Sequence, residues 1–321
     1  MAGFQVSNNQ HLIRSNLWSR QLKQLLLDDL FATKFVKPIT DFPDGTTINI
    51  PTLGEAGHRD FVEGGAIKYD RMDTGNFTFS YDQYKYSAHS ISEKFKRDSF
   101  YSSDVLAAFV PRQHRALMEA VETDILASGP SAQTAGNVNT INGAHHRYVA
   151  TGTGERLTLD DIRKAWYALK KANVPMNNLV AIVDPSVAYT IMGQANVTNL
   201  LTPAPKWQNM VNTGLVTGMQ FQFSLFGFDF YVSNYLQSGL TDSIDAGAGA
   251  LSTSAGVANL FFSAAPGDTL PIIGGFRQPP KVESEYNMDT QEERYLTICE
   301  YGFKLYRPEN LVTVISDTDV I

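Results

Sequence analysis

The chain has 321 residues, with 26 basic and 33 acidic side chains and a net charge of −7, long enough to bury a full core and form two lobes. That sign, with no basic stripe to offset it, argues against a protein that grips nucleic acid by neutralising phosphates; the densest cationic stretch, Glu93-Lys-Phe-Lys-Arg-Asp98, carries an acid at each end. No run of eighteen apolar residues is present to cross a membrane, and a single cysteine, Cys299, leaves no intrachain disulfide and argues against a structural zinc site.

In chain order, Met1 to Gln10 lack a charged start followed by an apolar core, so no secretory leader is expected. Ile13, Leu17, Leu22, Leu25, Leu26 and Leu30 then recur at broadly helical spacing, until Pro38, Pro43, Asp44 and Gly45 break the pattern. From Gly45 to about Ser92 the pattern is that of strands: Thr46 to Ile50 is β-prone, and Asn76 to Tyr81 alternates aromatic with polar residues. Between them residues 54–75 are glycine-rich and charged, with Arg59, Asp60, Glu63, Lys68, Asp70 and Arg71. Such a stretch cannot build a core of its own. The pattern predicts a projecting hairpin, marginal in isolation, that rests on a neighbouring subunit.

A helix is expected from Ser103-Asp104 to about Ala127, with Leu106, Val110, Leu117, Val121 and Ile125 on its apolar side and Arg112, Arg115, Glu119 and Glu122 facing away. Pro111 inside it implies a kink or a late start, costing about 3 kcal/mol unless compensated. Residues 128–154 read as a loop. Leu159–Ala172 is the clearest helix: Thr158 and Asp161 form a capping-box variant, and Ile162, Ala165, Trp166 and Leu169 make the expected buried stripe. Leu179 to Val183 is a continuous apolar strand; Asp184-Pro185 then opens a short helix ending near Gly193, with aspartate as cap. Phe228 to Val232 is a second strand of this α/β lobe. Residues 238–256 read as a surface loop, Val257 to Phe262 as a strand, and after a Gly/Pro break Tyr295 to Leu305 and Leu311 to Ile315 as closing strands.

Chemistry is sparse. Asp184 sits at a strand's C-terminal end, where α/β enzymes place catalytic groups, but Asp-Pro-Ser is also what a helix cap demands. His145-His146 point to opposite faces in an extended chain and have no acidic or cysteine partner at ligand spacing. Gly152-Thr-Gly154 lacks the third glycine of a dinucleotide loop. Cys299 lies on an apolar strand face and reads as a small buried hydrophobe, and Trp166 as core.

Taken in order, several segments resemble those of the major capsid proteins of tailed bacteriophages with the HK97-like fold, the T7-like proteins most of all. Ile91 to Ser99 resembles the approach to the family's spine helix. Lys171-Ala-Asn-Val-Pro175 and Leu179 to Ser186 resemble its axial-domain helix, strand and turn. Gly227 to Ser233 and Arg307 to Ile315 are similar to two of its later strands. The resemblance implies an α+β fold with an N-terminal arm (1–40) and an extended E-loop (41–92). It also implies a peripheral domain (93–154 and 276–321) and an axial domain (155–275). It implies a non-enzymatic shell protein, without cofactor, that assembles with itself as hexamers and pentamers around double-stranded DNA that it does not bind specifically. A portal, a separate scaffolding protein and a cement or decoration protein are the implied partners, with assembly in the host cytoplasm and residence in the virion. Arg59, Asp60, Glu63, Lys68, Asp70 and Arg71 are the expected inter-subunit contacts. An encapsulin-like compartment shell and a hydrolase using Asp184 are the alternatives.

Overall fold

The computed structural model describes residues 30–39, 47–54, 58–60, 63, 64, 66, 67, 69, 74–98, 102–134, 139–193, 221–242 and 256–318. The amphipathic pattern of 11–29, the residues 243–255, and the side chains at 102–110 lie outside this description.

Strands β1 (Val36–Pro38), β4 (Gln83–Ser92), β12 (Ile272–Asn287) and β13 (Glu292–Leu305) form one sheet in the order β1-β12-β13-β4. β2 (Thr47–Leu53) and β3 (Thr74–Ser80) form a separate antiparallel hairpin. The second large sheet contains β7 (Arg147–Val149), β8 (Leu179–Val183), β9 (Phe221–Leu225), β10 (Phe228–Val232), β11 (Val257–Ser263) and β14 (Val312–Ser316), ordered β7-β14-β11-β8-β10-β9. Helices α1 (Glu93–Asp98) and α2 (Ser102–Ala132) lead from the first sheet to the second, while α3 (Leu159–Lys171) and α4 (Pro185–Gly193) belong to the second. A small ladder, β5 (Thr140–Ile141) with β6 (Ala144–His145), precedes β7.

The six-stranded sheet separates two cores, and β8 shows how. Its five residues are all buried; Leu179, Ala181 and Val183 enter the core under α3 and α4, while Val180 and Ile182 enter the core under α2. Period-two alternation sends an unbroken apolar run to both sides at once. Burying a side chain of this size contributes about 1.5–3 kcal/mol, so a central strand without a polar residue is what a two-sided sheet requires.

On its other side the α2 core holds Leu117, Val121, Ile125 and Leu126 against Cys299 and Tyr301 of β13. Polar posts fix the helix over the four-stranded sheet. Thr297 Oγ1 donates to Gln113 Oε1 at 3.2 Å, and Gln113 Nε2 donates to the Ser87 carbonyl at 3.3 Å. About three turns on, Asp124 accepts from Tyr301 Oη at 2.6 Å and pairs with Lys85.

The helix differs from expectation at three points. It starts at Ser102, not late at Pro111, and runs to Ala132 through both Pro111 and Pro130, two positions that each lack an amide donor. Glu122 does not face away: it is 1% exposed and accepts hydrogen bonds from the amides of Phe31 (3.0 Å) and Ala32 (2.9 Å), catching the chain where it enters the core. Residues 128–154 are not simply a loop, since β7 is buried throughout and pairs in parallel with β14. Arg147 on β7 donates to the carbonyls of Pro130 and Gln133 at the C-terminal end of α2 and to Asp242, at 2.8 Å, in a fully buried ion pair. A cation there completes orphan carbonyls and favours the negative end of the helix.

The Gly/Pro break before Tyr295 is a turn only at residues 266–269, and from Ile272 the chain is already a strand. β12 passes through Pro279 and Pro280 with register shifts between Phe276 and Lys281. β1 covers only Ile272–Gly274 of its outer edge, and a proline's missing donor costs least at a bulge on an open edge.

The capping box stands as read: Asp161 N–H donates to Thr158 Oγ1, and Asp161 accepts from Thr158 N at 2.9 Å. The fully buried carboxylate of Asp161 also accepts from the amide and hydroxyl of Thr151, tying the approach of α3 to the sheet edge. Cys299 is fully buried and burial pushes its thiol up to about 11, so it is a packing residue with little thiolate character at neutral pH.

Two outcomes are expected. Glu122→Ala strands two buried amides, each costing about 1–3 kcal/mol, so its urea unfolding midpoint falls clearly; Glu122→Gln, which retains one acceptor, loses less than half as much. Cys299 stays unlabelled by an aromatic disulfide reagent in the native protein at pH 8 and reacts completely in denaturant. Rapid native labelling would contradict the buried placement.

Candidate assembly surfaces

The hairpin has an anchored base and an exposed end. At the base, Phe79, Tyr81 and Ile273 form a small core with Ile39, Ile48, Ile50, Phe77 and Tyr306 against it. The Phe77 and Tyr306 rings meet edge-on at 5.2 Å, and Lys304 Nζ donates to the Thr78 carbonyl at 2.8 Å. Gly302 lets the chain cross here, because a Cβ would lie 2.6 Å from the Ser80 carbonyl oxygen. At its base the hairpin therefore rests on a small core within its own chain.

Beyond Ile50 the two strands still pair as far as Leu53 and Thr74, but their side chains are exposed. Residues 51–54 and 74–76 are exposed, as are the expected contact residues Arg59, Asp60 and Glu63; Lys68, Asp70 and Arg71 lie outside the described residues. Large apolar side chains accompany the charges: Leu53 is 74% exposed, Ile67 65% and Tyr69 92%. Reading for charge missed these three. The available signal was a set of large apolar residues in a glycine-rich stretch unable to bury them.

At the root of the hairpin, Asp268 joins Lys37, before the hairpin, to Arg307, after β13. Burial raises the Asp268 carboxyl, but hydrogen bonds from Lys37 and Arg307 outweigh it and hold the pKa below the ordinary value. The pairs are partly exposed and contribute modestly.

A second surface lies on the α/β lobe. α3 buries Asp161, Ile162, Ala165, Ala168 and Leu169, whereas Trp166, expected in the stripe, is 40% exposed. It sits about 100° round the helix from Ala165, beyond the buried face. Trp166, Tyr167 and Arg163 of α3 line a groove of ≈ 390 Å³ with Phe226 of the β9–β10 turn. Phe226 (φ 52°) and Gly227 (φ 84°) are the two central residues of that hairpin, both left-handed. This geometry favours Asn-Gly, and a bulky residue there costs about 1–2 kcal/mol.

Residues considered for chemistry are engaged structurally. Asp184 accepts from the amide of Ser186 at 2.9 Å and from its hydroxyl, capping α4, while its own amide donates to Asn259 Oδ1 at 3.0 Å. The adjacent histidines separate: His145 is exposed beside Thr140, and His146 is buried with Nδ1 on the Ala144 carbonyl. Burial lowers the His146 pKa, keeping it neutral.

No relative among the curated proteins matches the chain. A profile of the family described as phage capsid protein matches residues 77–314. Among solved structures, the capsid asymmetric unit of cyanophage Pam1 superposes with a TM-score of 0.70 at 13% identity, covering 99% of both chains. A chain from Mycobacterium phage Che8 gives 0.66 at 16%, covering 93% of this chain and 96% of that one. The capsid of a native GTA particle gives 0.68 at 10%, covering 97% and 98% respectively. Across such low identities the likeness is one of fold, and it extends over nearly the whole chain. The chain belongs to the phage capsid protein family: it is a structural shell component of α+β, HK97-like fold and not an enzyme.

Proposed function

We propose that this chain assembles as hexamers and pentamers into the closed icosahedral head of a tailed phage and encloses its double-stranded DNA. The observation that carries the reading is the hairpin, anchored at its base and exposed beyond Ile50, with Leu53, Ile67 and Tyr69 presented to solvent. A two-stranded ribbon of this kind is marginal alone, and a neighbouring copy is the partner that a shell always supplies. Apolar anchors give affinity, and Arg59, Asp60, Glu63, Lys68, Asp70 and Arg71 set register through exposed pairs worth about 0–1 kcal/mol each.

In this reading residues 1–40 act as an arm and 41–92 as the loop that reaches a neighbour. Residues 93–154 with 276–321 form the peripheral domain, and 155–275 the axial domain. A portal, a separate scaffolding protein and a cement protein complete the head, which assembles in the host cytoplasm. A net charge of −7 leaves packaged DNA free to slide, since phosphate attraction needs cations.

Deletion of 54–75 leaves a chain that unfolds cooperatively near the wild-type temperature but forms no shells in negative-stain electron microscopy, alone or with scaffold. Wild-type-like shells from the deletion would sink the hairpin's role. Fluorescence anisotropy with a DNA duplex in physiological salt gives no dissociation constant tighter than about 1 μM; a tighter, salt-sensitive complex would contradict the sliding wall.

A further inference from the structure

Among the described residues of the α/β lobe, the exposed large hydrophobic side chains are Trp166, Tyr167, Phe226 and Tyr189. Three of them gather in the groove between α3 and the β9–β10 turn. The fourth, Tyr189, is 68% exposed on α4 and is not part of that groove. We infer that the groove receives Tyr189 of a second copy, and that this contact links neighbouring subunits within a ring. The inference rests on the proposed shell reading and names a contact surface for it.

Phe226 points to a contact outside its own chain. A two-residue hairpin with both central residues left-handed is best served by Asn-Gly, and here the first is a phenylalanine 45% exposed to solvent. The strained position therefore holds a large apolar ring that the described residues bury only in part. Strain of this kind persists where function requires it. Trp166 and Tyr167 stand beside it on the outer side of α3, next to Arg163, which pairs at its exposed end with Asp160.

A second copy is the occupant that these features favour. The chain comes from a shell-forming family, so identical surfaces are its constant neighbours. The groove and the tyrosine occupy different places on the lobe, and a contact between unlike patches of identical subunits is heterologous, the type that closes into rings. An incoming phenol fits an aromatic groove with a guanidinium at its rim, where stacking and cation–π attraction act together.

The test compares wild type, Phe226→Asn, Tyr189→Lys, Tyr167→Glu and the Tyr189→Lys/Tyr167→Glu double variant. Each is followed by thermal unfolding of the unassembled protein and by the assembled fraction in sedimentation and electron microscopy. Phe226→Asn is expected to raise the melting temperature by about 2 °C as strain is relieved, while lowering assembly about tenfold as an anchor is lost. Each single charge substitution lowers assembly to a similar degree, and the double variant restores it by placing lysine opposite glutamate across the contact. Normal assembly of Phe226→Asn, a fall in its melting temperature, or a double variant no better than its parents would overturn the inference while leaving the shell reading intact. Absence of rings or shells from wild type, alone and with scaffold, would instead remove the shell reading and this contact with it.

Discussion

The face of α2 that carries Leu117, Val121, Ile125 and Leu126 closes one core against two sheets at once. From the four-stranded sheet it meets Cys299 and Tyr301; from the six-stranded sheet it meets Val180, Ile182, Leu260 and Phe262. Apolar contact alone has no direction and would let the helix slide or roll. Direction comes from polar groups at intervals along it: Gln113 and Asp124 over the four-stranded sheet, Glu122 on the incoming backbone, and the terminal carbonyls on Arg147 of the six-stranded sheet. Each of these groups finds a partner in a setting where an unmade hydrogen bond costs more than a made one returns.

That beam fixes where the hairpin leaves the body. β13 lies under α2, and its Gly302 is the point at which Ser80 crosses. From there burial declines outward, through the Phe79 core and the Phe77–Tyr306 contact to the exposed strand ends. A hairpin built in this way has a fixed direction and an unfilled end. Those are the two properties needed to reach a specific place on a neighbour.

The parts of the fold legible in sequence were those in which one residue pattern has one local meaning. Leu179 to Val183 admits a buried strand and little else, and Thr158 with Asp161 is a helix start whatever lies around it. The misread parts were those where a distant partner changes the meaning of a residue. Glu122 has the spacing of a solvent-facing acid until the Phe31 and Ala32 amides arrive from ninety residues away. Arg147 looks like a loop cation until α2 ends beside it. Pro279-Pro280 is a breaker in isolation and an edge bulge once β13 is in place. Arg59, Asp60 and Glu63 were readable as exposed, but the apolar residues among the hairpin charges carried no periodicity to mark them.

Trp166 shows where helical periodicity loses resolution. A stripe read as Ile162, Ala165, Trp166 and Leu169 shares three residues with the buried set, omits Asp161 and Ala168, and adds Trp166, which lies only about 40° past Ile162 at the margin. Core and outer face are both compatible with an aromatic there, so spacing cannot choose between them. Phe226 is more telling because it breaks a rule with a steric cause. Sequences normally agree with their fold at every level, and local conflicts gather where function imposes a second demand. A half-exposed tryptophan alone is unremarkable on a protein surface. Beside a strained phenylalanine and an exposed tyrosine, in a chain whose family builds shells from copies of itself, it marks a face shaped by neighbours as well as by the core beneath it.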